Sequence, residues 1–324
     1  MSRERILFLH ENDSSFVRTD REILGQQFDV LDVDCSAGST LRQVFRSLRG
    51  ADLSYSWFGL GYAARAVLVG KLLRRPSVVV AGGWDVASMP EIGYGAVRSR
   101  RGRVRARLVL RRADVLITFS DWSHDRIRAL SGREATVVYL GVDSERFRPH
   151  EPKQELVVSV GNVTRENLKR KGMETFVRAA ALVPDVPFIL VGAHADAAAD
   201  ELRQIATPNV SIPGRLSDES LSGLLGRAKV YVQTSYTEGF GLAVAEAMAA
   251  GCVPVVTRSG ALPEVVGHAG FYVRFGDPQS TAGAIRDALA SSQGAAARQR
   301  IRTLFSLARR RERLLEIVNE ALKA

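Results

Sequence analysis

Val230-Tyr231-Val232-Gln233-Thr234-Ser235-Tyr236-Thr237-Glu238-Gly239-Phe240-Gly241-Leu242-Ala243-Val244-Ala245-Glu246, running on through Ala247 to Gly251 and then Val253-Pro254-Val255-Val256, decides how this chain folds. The first five residues read as a strand. Gly239 and Gly241 punctuate a turn, the Ala- and Met-rich stretch from Leu242 reads as a helix, and a second apolar run follows Gly251. Strand, glycine turn, helix, glycine and strand are the parts of a βαβ unit in a parallel sheet.

The turn also carries chemistry. With no side chains at Gly239 and Gly241, backbone N–H groups can approach a ligand. The helix opening near Leu242 aims its free N–H groups and the positive end of its dipole at the same place, which suits a phosphate. Glu238 and Glu246 flank that place, and carboxylates aimed at a phosphate would repel it. They fit neighbouring hydroxyl groups better, because one carboxylate accepts bonds from both members of a sugar diol. A phosphate flanked by two diols describes a nucleotide sugar. The competing reading is a common strand-to-helix turn with two solvated acids.

The chain has 324 residues, enough for two domains of about 150 each, and its 46% apolar content suits buried cores rather than disorder. Cys35 and Cys252 stand far apart, without metal-ligand spacing or a disulfide framework, and suggest a reducing compartment. The amino terminus passes from Ile6-Leu7-Phe8-Leu9 straight into Glu11-Asn12-Asp13, too short a run for a signal-peptide core, and no apolar run reaches the roughly 18 residues of a membrane span. The expectation is a soluble, cytoplasmic protein. Net charge is +10, and eight arginines crowd from Arg98 to Arg112. Three readings compete for them: an anionic membrane surface, a solvated helix face, and a nucleic-acid patch. The last is disfavoured because no aromatic-plus-basic motif accompanies the run.

In chain order, strands are predicted at 6–9, 28–33, 52–58, 77–81, 114–118 and 136–140, with helices at 15–26, 41–48, 61–74, 97–112 and 121–130 between them. Asp32-Val33-Asp34 superficially resembles a metal-binding acid pair, but it falls in or at the end of a strand and lacks further ligands. Gly82-Gly83-Trp84-Asp85 follows the clearest strand of this half and places Asp85 where doubly wound sheets take ligands, though a turn or cap would use the same residue. A polar, proline-containing linker is predicted at 141–152. The alternation then restarts, with strands at 156–161, 188–192, 210–212, 230–234 and 253–257, a basic loop at 164–171, and helices at 172–183, up to 205, 217–228, from about 242 toward Gly251, and 277–289. A basic helical tail follows from 295. The whole reads as α/β, two Rossmann-like domains facing an interdomain cleft.

Several of these pieces, in this order, resemble one known group. Glu238-Gly239-Phe240-Gly241-Leu242 with Glu246 looks like the Glu-seven-residues-Glu motif of retaining GT-B glycosyltransferases of family 4, the glycogen-synthase-like group. Gly161 followed by Arg165 and Lys171-Gly172 looks like its diphosphate loop, and Val191-Gly192, Pro213-Gly214-Arg215 and Ala261-Leu262-Pro263-Glu264 also fit. The resemblance is strongest from about 156 onward. It implies a GT-B fold with an acceptor-side domain at 1–150, a nucleotide-sugar domain at 151–298 and a C-terminal helix at 299–324 that returns to the first domain. Two such domains are expected to close on ligand and exclude water.

The resemblance further implies that Arg165 and Lys171 hold the donor diphosphate and offset charge on the leaving group, a task suited to guanidinium and ammonium groups. Glu238 would hold sugar hydroxyls and Glu246 the ribose. Gly161, Gly239, Phe240, Gly241 and Leu242 would meet the donor largely through backbone, and Gly214 and Arg215 would lie near the base. No metal and no cofactor are expected, the nucleoside-diphosphate sugar being a substrate, and the acceptor would be a glycan or a lipid-linked sugar, with docking on the inner face of the cell membrane through the arginine run. The first half departs from the group's pattern. Glu11-Asn12-Asp13-Ser14-Ser15-Phe16 stands where many members have a glycine pair, and Gly82-Gly83-Trp84-Asp85 keeps the aspartate of a His-Gly-any-Asp motif without the histidine, so Asp85 is an acceptor-side candidate only. A sugar-nucleotide epimerase and a non-catalytic nucleotide-sugar-binding module are the alternatives.

Overall fold

The computed structural model describes residues 3–324, so Met1 and Ser2 of the amino-terminal stretch lie outside it. The chain divides into two compact units. The first ends at Gly141 and takes back Ala308–Ala324, and the second is Val142–Leu307. The divisions therefore fall some residues before the expected boundary at 150 and after the one at 298. The segment after Gly141 joins the second unit because His150 N–H bonds Gly226 O at 2.9 Å and Val142 N–H bonds Phe305 O at 2.8 Å. The helix Gly294–Leu304 joins it because the Arg298 guanidinium bonds the carbonyls of Phe147 and Ala249.

The first unit holds β1 (Arg5–His10), β2 (Asp29–Asp34), β3 (Leu53–Trp57), β4 (Ser77–Val80), β5 (Val115–Thr118) and β6 (Thr136–Val137) in one parallel sheet of order β2-β1-β3-β4-β5-β6. Of its inner strands, β1, β4 and β5 carry near-continuous apolar runs because helices cover both faces, while β3 alternates as Leu53-Ser54-Tyr55-Ser56-Trp57 with all five residues buried. The acidic strand β2 is the exposed edge. That placement accounts for Asp32 and Asp34: Asp32 pairs with His10 Nε2 at 3.0 Å and with Arg21, and Asp34 accepts the Ser36 N–H at 2.8 Å.

The second unit holds β7 (Gln154–Val160), β8 (Phe188–Val191), β9 (Val210–Gly214), β10 (Ala228–Gln233), β11 (Val253–Thr257) and β12 (Phe271–Val273), all parallel, in the order β12-β11-β10-β7-β8-β9. This is the doubly wound dinucleotide-binding order, whose switch point lies between its first and fourth strands, here β7 and β10. The core packs Phe176, Phe188, Leu190, Val230 and Ile285, all essentially without exposure, around that junction. Two parallel six-stranded sheets wrapped by helices give the chain the GT-B fold.

Four local expectations change. The basic stretch at 164–171, expected as a loop, forms the helix Arg165–Arg170, capped by Thr164 Oγ1 on the Asn167 N–H at 3.2 Å. Six residues are too few for a periodic pattern, so only the cap signals it. The arginine helix runs Arg100–Arg112 rather than from 97, because Ser99 caps the Gly102 N–H and Ala96–Arg98 turns more tightly ahead of it. β12 and the helix Leu262–Val266 were not anticipated. The tail breaks near Phe305 into Gly294–Leu304 and Leu307–Lys323. Among the described residues no helix is long and apolar enough to cross a membrane.

Candidate functional site

The carboxyl ends of β7, β8 and β9 form a shelf of three glycines. Gly161 N–H bonds Val191 O at 2.8 Å and Gly192 N–H bonds Gly214 O at 3.1 Å. A Cβ on Gly161 would stand 2.8 Å from Lys171 Cδ, so the missing side chain is what lets the lysine lie along the end of β7. The turn that carries Lys171 is stapled to the end of β10. Thr234 Oγ1 bonds Gly172 O at 2.9 Å, and Tyr236 N–H bonds Arg170 O at 2.7 Å. Gly172 sits at φ +63, where a Cβ would fall 2.1 Å from Thr234 O, so the close approach requires glycine.

Across this switch point Lys171 Nζ reaches Glu238 Oε1 at 3.0 Å. The same oxygen accepts from Ser235 Oγ at 2.8 Å and from Gln233 Nε2 at 3.2 Å. Among the described residues no donor reaches Oε2, which is left to a ligand. Burial pushes the Glu238 carboxyl up, but the charges of Lys171 and Arg170 and the bonds from Lys171 and Ser235 outweigh it and hold the group below the usual value. Lys171 and Glu238, side chains 18% and 12% exposed, are thus a charged pair at a partly dry strand end.

A second clasp fixes Glu238 from β11. Thr257 and Ser259 hydroxyls bond the carbonyls of Ser235 and Tyr236, and Ala261 N–H bonds Glu238 O at 2.9 Å. Gly260, at φ +60, sits so close that a Cβ would meet Glu238 O at 2.3 Å. Gly260→Ala must therefore push the Glu238 backbone aside. Displacements of about 1 Å at a reacting centre cost on the order of 100-fold, so if Glu238 serves the chemistry of this site, a comparable loss of activity is expected in a variant that still unfolds cooperatively. Wild-type turnover by that variant would show the clasp to be dispensable.

The helix Leu242–Ala249 opens at Gly241, φ +95, with no side chain capping its first N–H groups. These donors remain for an anion. Phe240 points away from them. It is 3% exposed and packs edge-on against Phe305 at 5.7 Å, so it anchors the turn. The carboxylate of Glu246, half-buried one turn on, accepts no hydrogen bond from any described residue. Burial lifts its carboxyl to about 7, with Arg146 pulling down and Asp218 pushing up. Those two neighbours pair with each other at 2.9 Å. Near Gly214 and Arg215, Pro213 and Leu216 line a cavity of about 770 Å³ shared with Arg146 and Arg148.

Two expected residues stand apart from this group. Arg165 is exposed, and its Nε binds Glu201 at 2.8 Å. The segment expected to be the diphosphate loop therefore brings Lys171, but not Arg165, to Glu238. Asp85, in the first unit, is 1% exposed, and each oxygen is taken by a backbone N–H: Gly82 at 3.0 Å and Gly59 at 2.8 Å. Burial raises it to about 7 against those bonds. It ties the turn after β3 to the turn after β4. Gln233, Ser235, Ser259 and Gly260 are the functional positions that sequence reasoning missed. Gln233 and Ser235 lay within the quoted stretch, but a strand-end polar residue has no spacing that marks it.

Comparison with known proteins agrees with this geometry. Residues 154–291 match the profile of the family described as glycosyl transferases group 1. An MMP alpha-(1->4)-mannosyltransferase of Mycolicibacterium hassiacum is 32% identical over 211 residues, 62% of this chain and 49% of that protein. A glycogen synthase of Mycobacterium tuberculosis is 29% identical over 262 residues, 72% of this chain and 63% of the relative. The chain thus spans about half to two thirds of these curated relatives. Among solved structures, Anabaena Alr3699/HepE in complex with UDP and glucose superposes with a TM-score of 0.81 at 20% identity, covering 98% of this chain and 100% of that one. Sucrose-phosphate synthase from Thermosynechococcus elongatus gives 0.79 at 19% identity, covering 98% and 99%. Likeness at that identity establishes the fold.

Proposed function

We propose that this chain, which carries a glycosyl transferases group 1 domain over residues 154–291, is a retaining, metal-independent family 4 glycosyltransferase that moves a hexosyl group from a nucleoside-diphosphate sugar to a glycan or lipid-linked acceptor. The observation that carries this reading is the Lys171–Glu238 pair at the β7/β10 switch point, beside the uncapped helix start at Leu242.

In the proposed step the donor C1–O bond to the diphosphate breaks while the acceptor oxygen bonds C1 from the same face. The acceptor proton passes to the departing phosphate oxygen. Charge grows on that oxygen, and Lys171 with the N–H groups at Leu242 offsets it. A donor phosphate draws Lys171 from Glu238, whose freed carboxylate takes the sugar hydroxyls. Arg165 joins only after exchanging Glu201 for phosphate. Asp85 serves by holding the turns at Gly59 and Gly82 in place. The relatives named above for a mannosyltransferase and a glycogen synthase support hexosyl transfer as the class.

Purified protein, a panel of nucleotide sugars and excess chelator test this directly. Transfer or slow donor hydrolysis with retained anomeric configuration is expected, and an inverted product or strict dependence on added metal would contradict it. Accumulation of an isomerised nucleotide sugar without acceptor would instead favour the epimerase.

Glu246 adds a pH signature. Its carboxylate forms near pH 7, and only the charged form accepts fully from both ribose hydroxyls. Below that value the proton occupies one acceptor site, so donor KM rises as pH falls, by about tenfold between pH 8 and pH 6 for a single group of this kind. Glu246→Gln flattens the profile at the weaker limit. A donor KM independent of pH in the wild type would remove Glu246 from ribose recognition.

A further inference from the structure

The arginine run does not form one cationic face. Arg107 and Arg111 each donate through Nε to the carbonyls of Leu130 and Ser131, both at 3.2 Å, closing the end of the helix Asp121–Ser131. Arg98, Arg101 and Arg105 have no carboxylate or hydrogen-bond partner among the described residues. They line a cavity of about 380 Å³ in the first unit, at the carboxyl ends of β3 and β4. That volume lies in the range of small-molecule sites, roughly 300–1,000 Å³.

The cavity wall is unusually positive for physical reasons that add. Arg101 and Arg105 are one turn apart on the same helix face, a repulsive spacing. Arg101 also stands in the first turn of its helix, where the dipole disfavours a cation and no acid offsets it. Gly59 and Gly61 on the opposite wall bracket the start of the thirteen-residue helix Gly61–Leu73, which has no side-chain cap, so its free N–H groups add to the same potential. The one acid in the lining, Asp85, has both oxygens bonded to backbone N–H groups, and burial holds it near neutrality. Glu11 is near enough to act on Asp85, but no carboxylate among the described residues pairs with Arg98, Arg101 or Arg105. At the rim the Trp84 ring is 44% exposed, an apolar plate of the kind on which a sugar face stacks.

We propose that this cavity binds an anionic group of the acceptor, a phosphate attached to a sugar, with Arg101 and Arg105 on the phosphate and Trp84 on the ring. The proposal rests on the glycosyltransferase reading only in calling the ligand an acceptor. The phosphate can come from a soluble sugar phosphate or from a lipid headgroup, and the chemistry at the arginines is the same.

The test is equilibrium binding to the full chain, with glucose 6-phosphate, glucose and inorganic phosphate as probes and UDP, GDP and ADP titrated in parallel. Glucose 6-phosphate should bind at least tenfold tighter than glucose. The Arg101→Gln/Arg105→Gln variant should lose that preference, and Arg100→Gln/Arg103→Gln, equal in charge but outside the cavity, should keep it. Trp84→Ala should weaken glucose 6-phosphate while leaving inorganic phosphate unchanged. If the same variant pattern, including the loss at Trp84→Ala, appears only on phosphatidylcholine vesicles containing phosphatidylinositol, whose phosphate carries a six-membered polyol ring, the phosphate is lipid-borne and the site stands. Equal losses in the two double variants, no preference for the phosphorylated sugar or the anionic vesicles, or tighter capture of a polyuridine RNA by Arg101 and Arg105 would overturn it. Binding of UDP, GDP or ADP with no phosphate selectivity removes this site and spares the donor reading, whereas phosphate selectivity with none of the three nucleotides bound does the reverse.

Discussion

Lys171→Met lowers kcat/KM for sugar transfer by about 100- to 1,000-fold, the scale on which a single preorganised charge stabilises a developing oxyanion. Binding of the proposed nucleoside diphosphate falls far less, because the helix start at Leu242 keeps its uncapped N–H groups. The reason lies in where Nζ sits. It is held by the staple between Gly172 and Thr234, and only 18% of the side chain meets water, so its charge is poorly screened. The substitution also strips Glu238 of the largest influence that lowers its carboxyl. A depressed carboxylate pKa gives stability above the unfolded value that is lost as pH falls, so the variant forfeits part of it at neutral pH and begins to protonate Glu238 at a higher pH than the wild type does. The residual activity should therefore decline at a higher pH as well. Lys171→Arg should not restore the wild-type rate, since a planar fork cannot replace a point charge beside Gly161. A kcat/KM within a factor of three of wild type in Lys171→Met would show that leaving-group charge is met elsewhere.

Much of the second unit was legible because its signals are local. A parallel strand between covering helices is a continuous apolar run, and the glycines at Gly239 and Gly241 mark a turn whatever surrounds it. The partnership of Lys171 with Glu238 was legible only as two separate motifs. What joins them is strand order: β7 lies beside β10 rather than between its sequence neighbours, and a separation of 67 positions along the chain carries no trace of that adjacency. The clasp from Ser259 and Gly260 was invisible for the same reason, since it depends on β11 lying on the other side of β10. Helix Arg165–Arg170 was lost because one and a half turns give no period to detect.

In the first unit, motif position misleads. Asp85 stands where a ligand-facing acid would stand, yet burial and two backbone N–H donors turn it into a tie between loops. The eight arginines read as one block because sequence proximity hides direction. On a helix, residues four apart share a face, so Arg107 and Arg111 fall against the helix beside them while Arg101 and Arg105 fall on the cavity. Composition registered the charge and could not apportion it.

The largest stability effect is expected at Arg310, which looked like one more cation in a basic tail. Its side chain is 1% exposed and Asp20 is wholly buried. The guanidinium meets both Asp20 oxygens, at 2.6 and 2.7 Å, and also donates to Val138 O at 2.8 Å, while Tyr55 Oη donates to Asp20 at 2.7 Å. Every group in this network is answered inside the first unit, and with the buried Leu314, Ile317 and Val318 it ties the helix Leu307–Lys323 to that unit. Arg310→Met leaves the Asp20 charge buried with only the Tyr55 hydroxyl, a loss of about 3–5 kcal/mol. For a unit of this size that is a fall in Tm on the order of 10 °C. Asp20→Asn alone strands the guanidinium instead and costs a similar amount. Combined with Arg310→Met it removes both charges and keeps an oxygen for Tyr55, so the double variant should be more stable than either single one. That ordering separates a buried charge pair from simple loss of packing, for which the two costs would add. Additive losses in thermal or urea unfolding would mean that the pair holds the helix by shape rather than by charge.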